Sequence, residues 1–305
     1  MNNLPFDKIF NKDKTFMVIW QFGIKCNYNC FYCNDDLHNN YSKHLSKEII
    51  LKIYNNIKKQ VKRKINFSIT GGEPTLNPFL ISFCTLIKNN NDNTIITTNG
   101  SKSLNYLKKL NEVAKLTINY HPCNGIDDDK FIKKILKLPQ VTVNVMLEHE
   151  YLDRAEYVYN HLKHDTNCFY RPVRKKFIIG KKYYPENRYK SYYSIEQQKK
   201  VNNLIKKTER KLELDIGNSK YNITDMLNEK IFNFNNWKCS SGSDTIYISY
   251  DEKVFNATCR QEVLGNFDNF KILDNFITCK RTGCSCVPDI QLEKYYPNEN
   301  ITNRS

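Results

Sequence analysis

The chain has 305 residues and a mass of 36.1 kDa, long enough for one full hydrophobic core and a smaller second one. Lys and Arg number 47 against 32 Asp and Glu, a net charge of +15, and no apolar run approaches the roughly 18 residues of a membrane span, which excludes a membrane-spanning class. Met1 to Lys14 has no apolar signal-peptide core, so a cytoplasmic protein with no membrane partner is expected, and in that reduced compartment the eleven cysteines point to metal ligation instead of disulfides.

From Phe16 to Val173 short β-rich runs alternate with amphipathic helical patterns, as in a parallel sheet with crossover helices. Strand one is expected over Phe16–Phe22, and it delivers a loop carrying Cys26, Cys30 and Cys33. A helix from about Ser46 to Arg63 puts Ile49, Ile50, Ile53, Ile57 and Val61 on one stripe. Strand two, Ile65–Ile69, ends in Thr70-Gly71-Gly72-Glu73-Pro74, and a helix opened by Pro78 follows through Leu80, Cys84 and Ile87. Strand three, Thr94–Thr98, ends in Asn99-Gly100, with a helix through Leu104, Leu107, Leu110 and Val113. Strand four, Leu116–Tyr120, ends at His121-Pro122, and a helix spans Asp127–Leu138. Strand five is Val141–Leu147, a helix lies near Tyr151–Leu162, and strand six is Cys168–Val173. These units predict an α/β fold, a partial (β/α)6 parallel barrel followed by a small C-terminal cysteine-rich β-hairpin/α domain. The unusual residues fall at the carboxyl ends of the strands, where parallel barrels place their chemistry.

Three thiols at CxxxCxxC spacing are one short of the four ligands that a tetrahedral zinc or an iron-sulfur cube takes from protein, so one position stays open. With Gly71-Gly72-Glu73 after strand two and Thr97-Thr98-Asn99-Gly100 after strand three, the segment Phe16 to Val173 resembles the radical S-adenosylmethionine (radical SAM) superfamily. The resemblance implies a [4Fe-4S] cluster on Cys26, Cys30 and Cys33, whose fourth iron is chelated by the methionine end of S-adenosyl-L-methionine. It implies Tyr32 against the adenine, Gly71, Gly72 and Glu73 on the cofactor's amino group, and Asn99 at the strand-three turn. Asn119 occupies the position of a polar residue on the ribose hydroxyls, with His121 as second choice. Asn144 and Met146 on strand five, Glu148 at its end, and the backbone near Tyr170 to Pro172 are further candidates to face cofactor or substrate. The implied chemistry is reductive cleavage of S-adenosylmethionine to a 5'-deoxyadenosyl radical that abstracts hydrogen, with a donor such as flavodoxin or ferredoxin supplying the electron.

A second set of thiols, Cys239, Cys259, Cys279, Cys284 and Cys286, follows Trp237. Thr245 to Tyr250 and Val254 to Thr258 read as a hairpin between the first two. The arrangement resembles the shortened auxiliary-cluster (twitch or SPASM-like) domain of radical SAM enzymes, including Leu264-Gly265-Asn266 and the closing Cys279-x4-Cys284-x-Cys286-x-x-Asp289. It departs from that pattern at Val254, where the family has glycine, and in lacking the full seven-cysteine set, which favours one auxiliary [4Fe-4S] cluster. Cys239, Cys259, Cys284 and Cys286 are the expected ligands with Cys279 as a replacement, and zinc at the same spacings is the alternative. Cys84, Cys123 and Cys168 read as buried structural thiols.

The expected organisation is an N-terminal extension (1–15), the partial barrel (16–175), a basic helical connector (176–235) and the auxiliary-cluster domain (236–305). From the end of the barrel segment into the connector, Arg174 to Lys211 holds thirteen Lys and Arg against three Glu, interleaved with Tyr183, Tyr184, Tyr189, Tyr192 and Tyr193. Helices are expected over Ser194–Leu212 and Asp225–Phe232. The leading functional expectation is an oxidoreductase acting on a peptide or small metabolite, with net oxidation through the auxiliary cluster. An RNA-, tRNA- or nucleotide-modifying enzyme is the second reading, carried by the basic stretch, and nucleic acid is not the favoured partner. A zinc-stabilised non-enzymatic binding protein is the third.

Overall fold

The alternating runs between Phe16 and Val173 are parallel strands joined by helices. In chain order the elements are β1 (Lys8–Ile9), β2 (Phe16–Gln21), α1 (Lys47–Gln60), β3 (Ile65–Thr70), α2 (Leu80–Asn89), β4 (Asn93–Thr98), α3 (Leu104–Asn111) and β5 (Lys115–Tyr120). They continue with α4 (Asp128–Ile135), β6 (Thr142–Leu147), α5 (Leu152–Leu162), β7 (Asn167–Pro172) and α6 (Ile195–Lys207). The hairpin strands β8 (Glu213–Ile216) and β9 (Ser219–Asn222) come next, then β10 (Lys238–Cys239), β11 (Thr245–Ile248), β12 (Lys253–Phe255), β13 (Val263–Asn266), β14 (Ile277–Thr278) and β15 (Lys294–Tyr295). The structure, a computed structural model, describes residues 8–9, 15–33, 38–173, 193–208, 213–216, 219–223, 232–284 and 286–297. Most of the basic, tyrosine-rich stretch, including Lys175, Lys181, Tyr183 and Tyr189, and the helix expected near Asp225 lie outside the described residues.

Two units divide the chain. The first consists of Trp20–Lys47 and Asn66–Glu209. In it β3 to β7 pair side by side and parallel, in sequence order. With helices between successive strands this is the α/β architecture of a partial parallel barrel. Alternation along each strand sets two faces, as the two-residue period of a strand requires. Phe67 and Ile69 on β3, Ile118 and Tyr120 on β5, and Val143, Val145 and Leu147 on β6 are sealed from solvent. Thr117, Asn119, Asn144 and Met146 lie half-buried on the other face. Trp20, Phe22 and Phe83 form an aromatic cluster with ring centres 5.3 to 5.7 Å apart, and Phe67 meets Phe83 edge-on.

Side-chain caps fix where several helices begin. The Ser103 hydroxyl accepts from the Tyr106 N–H, the Asp127 carboxylate from the Lys130 N–H, and Ser194 with Gln197 forms a reciprocal capping box. Such caps contribute about 1 kcal/mol each. The helix expected to reach Leu212 stops at Lys207. Thr208 ends it by turning its hydroxyl to the Ile205 carbonyl and accepting the Tyr170 N–H at 3.0 Å. The antiparallel pair β8–β9 follows, a hairpin that the helical periodicity of the preceding segment concealed.

The second unit consists of Met1–Ile19, Glu48–Ile65 and Arg210–Ser305. It holds a four-stranded sheet in the order β1-β15-β10-β14, antiparallel throughout, and the antiparallel meander β11-β12-β13. The hairpin expected around Asp251-Glu252-Lys253 is β11–β12, and a third strand β13 pairs with β12. Gly265 within β13 lets the chain after the strand fold back on it: at φ +140° a Cβ there would sit 2.1 Å from the Asn269 carbonyl oxygen. Gln60 at the end of α1 bonds both the Phe270 carbonyl and the Ile272 N–H, and Arg63 pairs with Asp244 at 2.5 Å. Among the described residues no helix is long and apolar enough to cross a membrane.

Candidate functional site

In the first unit the cysteine loop leaves β2 and is stitched into place by backbone bonds. The Cys26 N–H donates to the Asn39 carbonyl at 2.6 Å, the Asn39 N–H to Ile24 at 2.7 Å, and the Cys33 N–H to Cys30 at 3.0 Å. Cys30 is buried, whereas Cys26 and Cys33 are half-buried. The loop needs its neighbour to be glycine. Gly71 and Gly72 have φ +91° and +52°, and a Cβ on them would lie 2.6 Å from the Gly23 carbonyl oxygen and 2.3 Å from that of Lys25. Only a bare backbone fits there, and it lets the Glu73 N–H bond the Lys25 carbonyl at 2.8 Å.

The Glu73 side chain is buried and hydrogen-bonded on both oxygens. One carboxylate oxygen accepts from Thr75 N–H, Thr75 Oγ1 and Thr98 Oγ1, the other from the Asn99 N–H at 2.6 Å. It therefore locks the ends of β3 and β4 together and aims Asn99 at the cysteine loop. The Asn99 amide donates to Asn27 Oδ1 at 3.0 Å and lies 3.9 Å from Cys26 Sγ.

A second network closes on the loop from the ends of β5 and β6. The Tyr32 hydroxyl meets His121 Nδ1 and donates to Glu148 Oε1 at 3.0 Å, with the two rings stacked. Glu148, wholly buried at the end of β6, also accepts the Cys123 N–H at 2.9 Å. Asn124 donates from Nδ2 to Cys30 Sγ at 3.1 Å and to Cys123 Sγ at 3.2 Å, and its Oδ1 accepts the Asn29 N–H. The Cys123 thiol, then His121 and Asn124, hold the Cys30 thiol well below the ordinary cysteine value, while burial pushes Cys26, Tyr32 and Glu148 up. A depressed thiol is a ready thiolate, the form that ligates metal.

Asn119 and Asn144 sit opposite each other across β5 and β6, Asn144 Nδ2 donates a hydrogen bond to Asn119 Oδ1 at 2.8 Å, and Arg171 donates to Asn144 at 3.1 Å. Met146 shares that half-buried face. The Tyr170 side chain points elsewhere: it is buried against Tyr159 of α5, with ring centres 4.2 Å apart. Cys84 and Cys168 are buried, and burial raises both thiols, as befits inert core residues. Cys123 behaves otherwise. Expected to be a buried structural thiol, it is half-buried and shares the Asn124 amide with Cys30; Asn124 did not stand out in the sequence, although a Pro-Cys-Asn-Gly turn at the carboxyl end of a barrel strand was the available signal.

In the second unit, Cys239, Cys259, Cys279 and Cys284 line one cavity together with Asp289 and Lys294. Each comes from a different piece of backbone: β10, the turn after β12, the residue after β14, and the loop beyond it. The Asp289 carboxylate accepts the N–H groups of Cys259 at 2.7 Å and Thr258 at 3.3 Å, and the Cys279 N–H donates to Trp237 at 2.7 Å. Arg281 bonds the Cys259 carbonyl. Lys294, almost wholly buried, spends its ammonium on the carbonyls of Asp289, Ile290 and Leu292. Burial pushes the Cys259 thiol up to about 12 and raises Cys279 and Cys284 as well. Cys286 is exposed and is not among the residues lining the cavity. Among the described residues no three Cys, His, Asp or Glu side chains close around a single ion.

Residues 20–149 match the family model of the radical SAM superfamily. The chain carries a radical SAM domain. The cofactors of such a domain are a [4Fe-4S] cluster and S-adenosylmethionine, and the cysteine loop with its open polar surroundings fits them. A probable GTP 3',8-cyclase of Methanococcus maripaludis is 37% identical over 97 residues, 31% of this chain and 32% of that protein, so the match spans about a third of the curated relative's length. Native anSMEcpe with bound AdoMet shares the fold at TM-score 0.55 and 16% identity, over 83% of this chain and 78% of that one. SuiB of Streptococcus suis bound to the precursor peptide SuiA does so at TM-score 0.52 and 14% identity, over 85% of this chain and 64% of that one.

Proposed function

We propose that the chain is a radical SAM oxidoreductase acting on a peptide, with a second, fully protein-ligated [4Fe-4S] cluster. Cys26, Cys30 and Cys33 hold the first cluster and leave one iron to S-adenosylmethionine. That group, when bound, supplies an electron for cleavage of the cofactor and so a hydrogen-abstracting radical. The residues of the chain position it: Gly71-Gly72 run beside the cysteine loop, Asn99 and Asn119 offer amides from neighbouring strand ends, and the Tyr32 ring is fixed by Glu148 and His121. Glu73 braces the ends of β3 and β4, and its second oxygen, which accepts only the Asn99 N–H, keeps capacity for the cofactor's amino group.

The observation that carries the second cluster is the convergence of Cys239, Cys259, Cys279 and Cys284 on one cavity. Four thiols leave no open iron, which suits electron transfer better than substrate ligation. The peptide class rests on the fold shared with anSMEcpe and SuiB, the second of which is bound to a precursor peptide. A nucleotide substrate is the other reading, favoured by the identity with the probable GTP 3',8-cyclase within the radical SAM domain. Anaerobic reconstitution should give roughly eight irons per chain, two four-iron clusters, and release of 5'-deoxyadenosine with dithionite. Four irons only, or zinc in the second site, would refute the two-cluster proposal.

A further inference from the structure

Asn124 reaches far for a turn residue. It closes the 3-10 turn Pro122–Asn124 before Gly125, and a bend of that kind is made by backbone, proline and glycine alone. Its side chain nevertheless crosses to the cysteine loop: Oδ1 accepts the Asn29 N–H at 3.0 Å, and Nδ2 donates to Cys30 Sγ at 3.1 Å. The turn that presents it is itself anchored. Glu148, with none of its surface exposed, takes the Cys123 N–H on one carboxylate oxygen and the Tyr32 hydroxyl on the other, so both sides of the contact are tied to one buried group.

We propose that Asn124 is a positioning residue for the cluster that binds S-adenosylmethionine: it clasps the cysteine loop through Asn29 and donates an N–H hydrogen bond to the sulfur of Cys30. This rests on Cys26, Cys30 and Cys33 being the ligands of that cluster. Reduction adds negative charge that spreads onto the ligating sulfurs, and a donor aimed at one of them stabilises the reduced form more than the oxidised one. Asn124 thereby raises the reduction potential of this cluster and leaves that of the second unlike it. Partners behind ligands commonly act in this way.

The test uses the full chain, reconstituted anaerobically, and follows the cluster whose reduced EPR signal changes when S-adenosylmethionine is added. Asn124→Leu, neutral and close in volume, removes the donor to Cys30 without adding charge beside the cluster. The expected result is a more negative midpoint for that cluster, with the midpoint of the other unchanged; loss of iron from that cluster alone also supports the clasp. An unchanged midpoint at unchanged iron content overturns the proposal. A second measurement needs no change at position 124. With asparagine labelled with 15N at the side-chain amide only, and Asn27→Ala, Asn29→Ala and Asn99→Ala removing the other asparagine amides of the loop and its surroundings, the reduced cluster should still show a 15N coupling. Absence of coupling overturns the proposal. If unsubstituted protein shows no S-adenosylmethionine-responsive signal at all, the ligand assignment beneath the proposal falls with it, so the two failures are told apart.

Discussion

The two thiol sites are built on opposite plans. The loop of Cys26, Cys30 and Cys33 is a single short stretch surrounded by side-chain amides, a phenol, an imidazole and a buried carboxylate, nearly all from strand ends distant in sequence. The cavity of Cys239, Cys259, Cys279 and Cys284 gathers its thiols from four segments and holds them mainly by backbone N–H bonds, with buried Asp289 and Lys294 beside them. A site that must accept a cofactor and release it needs polar groups facing an open side. A site that only stores charge needs enclosure and a full set of ligands. Thiol chemistry differs in one member: burial raises Cys26 as it raises Cys259, Cys279 and Cys284, but side-chain partners lower Cys30.

The sharpest break of this contrast is Cys30→Ala. It should abolish 5'-deoxyadenosine release below detection while retaining roughly four irons per chain, read by iron assay and product chromatography. Next is the pair Cys279→Ala and Cys286→Ala. The first should empty the second site and the second should not, because Cys286 is exposed while Cys279 lines the cavity. Equal iron loss in both would remove the distinction. Gly72→Ala forces a Cβ to within 2.3 Å of the Lys25 carbonyl at a left-handed φ of +52°. A loss of about 2–4 kcal/mol is expected in chemical denaturation, with iron lost first from the cysteine loop.

The smallest effect concerns Glu148. Burial raises its carboxyl above the ordinary value, so the stability it contributes is complete below that ordinary value and declines as pH rises through the raised one. Glu148→Gln should flatten this decline. It keeps an acceptor for Tyr32, and a change of about 1 kcal/mol or less is expected in urea unfolding at acid and neutral pH. A steeper fall with pH in the variant would contradict the direction of the shift.

Much of the first unit was legible in the sequence because its signals are local. Each strand carries its own alternation, each helix its own stripe, and Gly71-Gly72 marks a close approach wherever it falls. What stayed hidden depends on partners far along the chain. Asn124 looks like an ordinary turn residue until Asn29 and Cys30 are beside it, and nothing in Gly71-Gly72-Glu73 announces that Thr98 and Asn99 bond the Glu73 carboxylate. Spacing placed Cys279, Cys284 and Cys286 in one cluster of thiols, but only the fold around Asp289 separates the two that line the cavity from the one in solvent. Strand β13 was missed for a similar reason: it is short, and its pairing with β12 runs through a bulge instead of a periodic run.

The most direct measurement is the iron content and Mössbauer spectrum of a Cys26→Ala, Cys30→Ala, Cys33→Ala chain after anaerobic reconstitution with 57Fe. The two-site account predicts a single [4Fe-4S] cluster at about four irons per chain, indifferent to S-adenosylmethionine and lost on adding Cys279→Ala. A chain that takes up no iron, or fills the cavity with zinc, would contradict it.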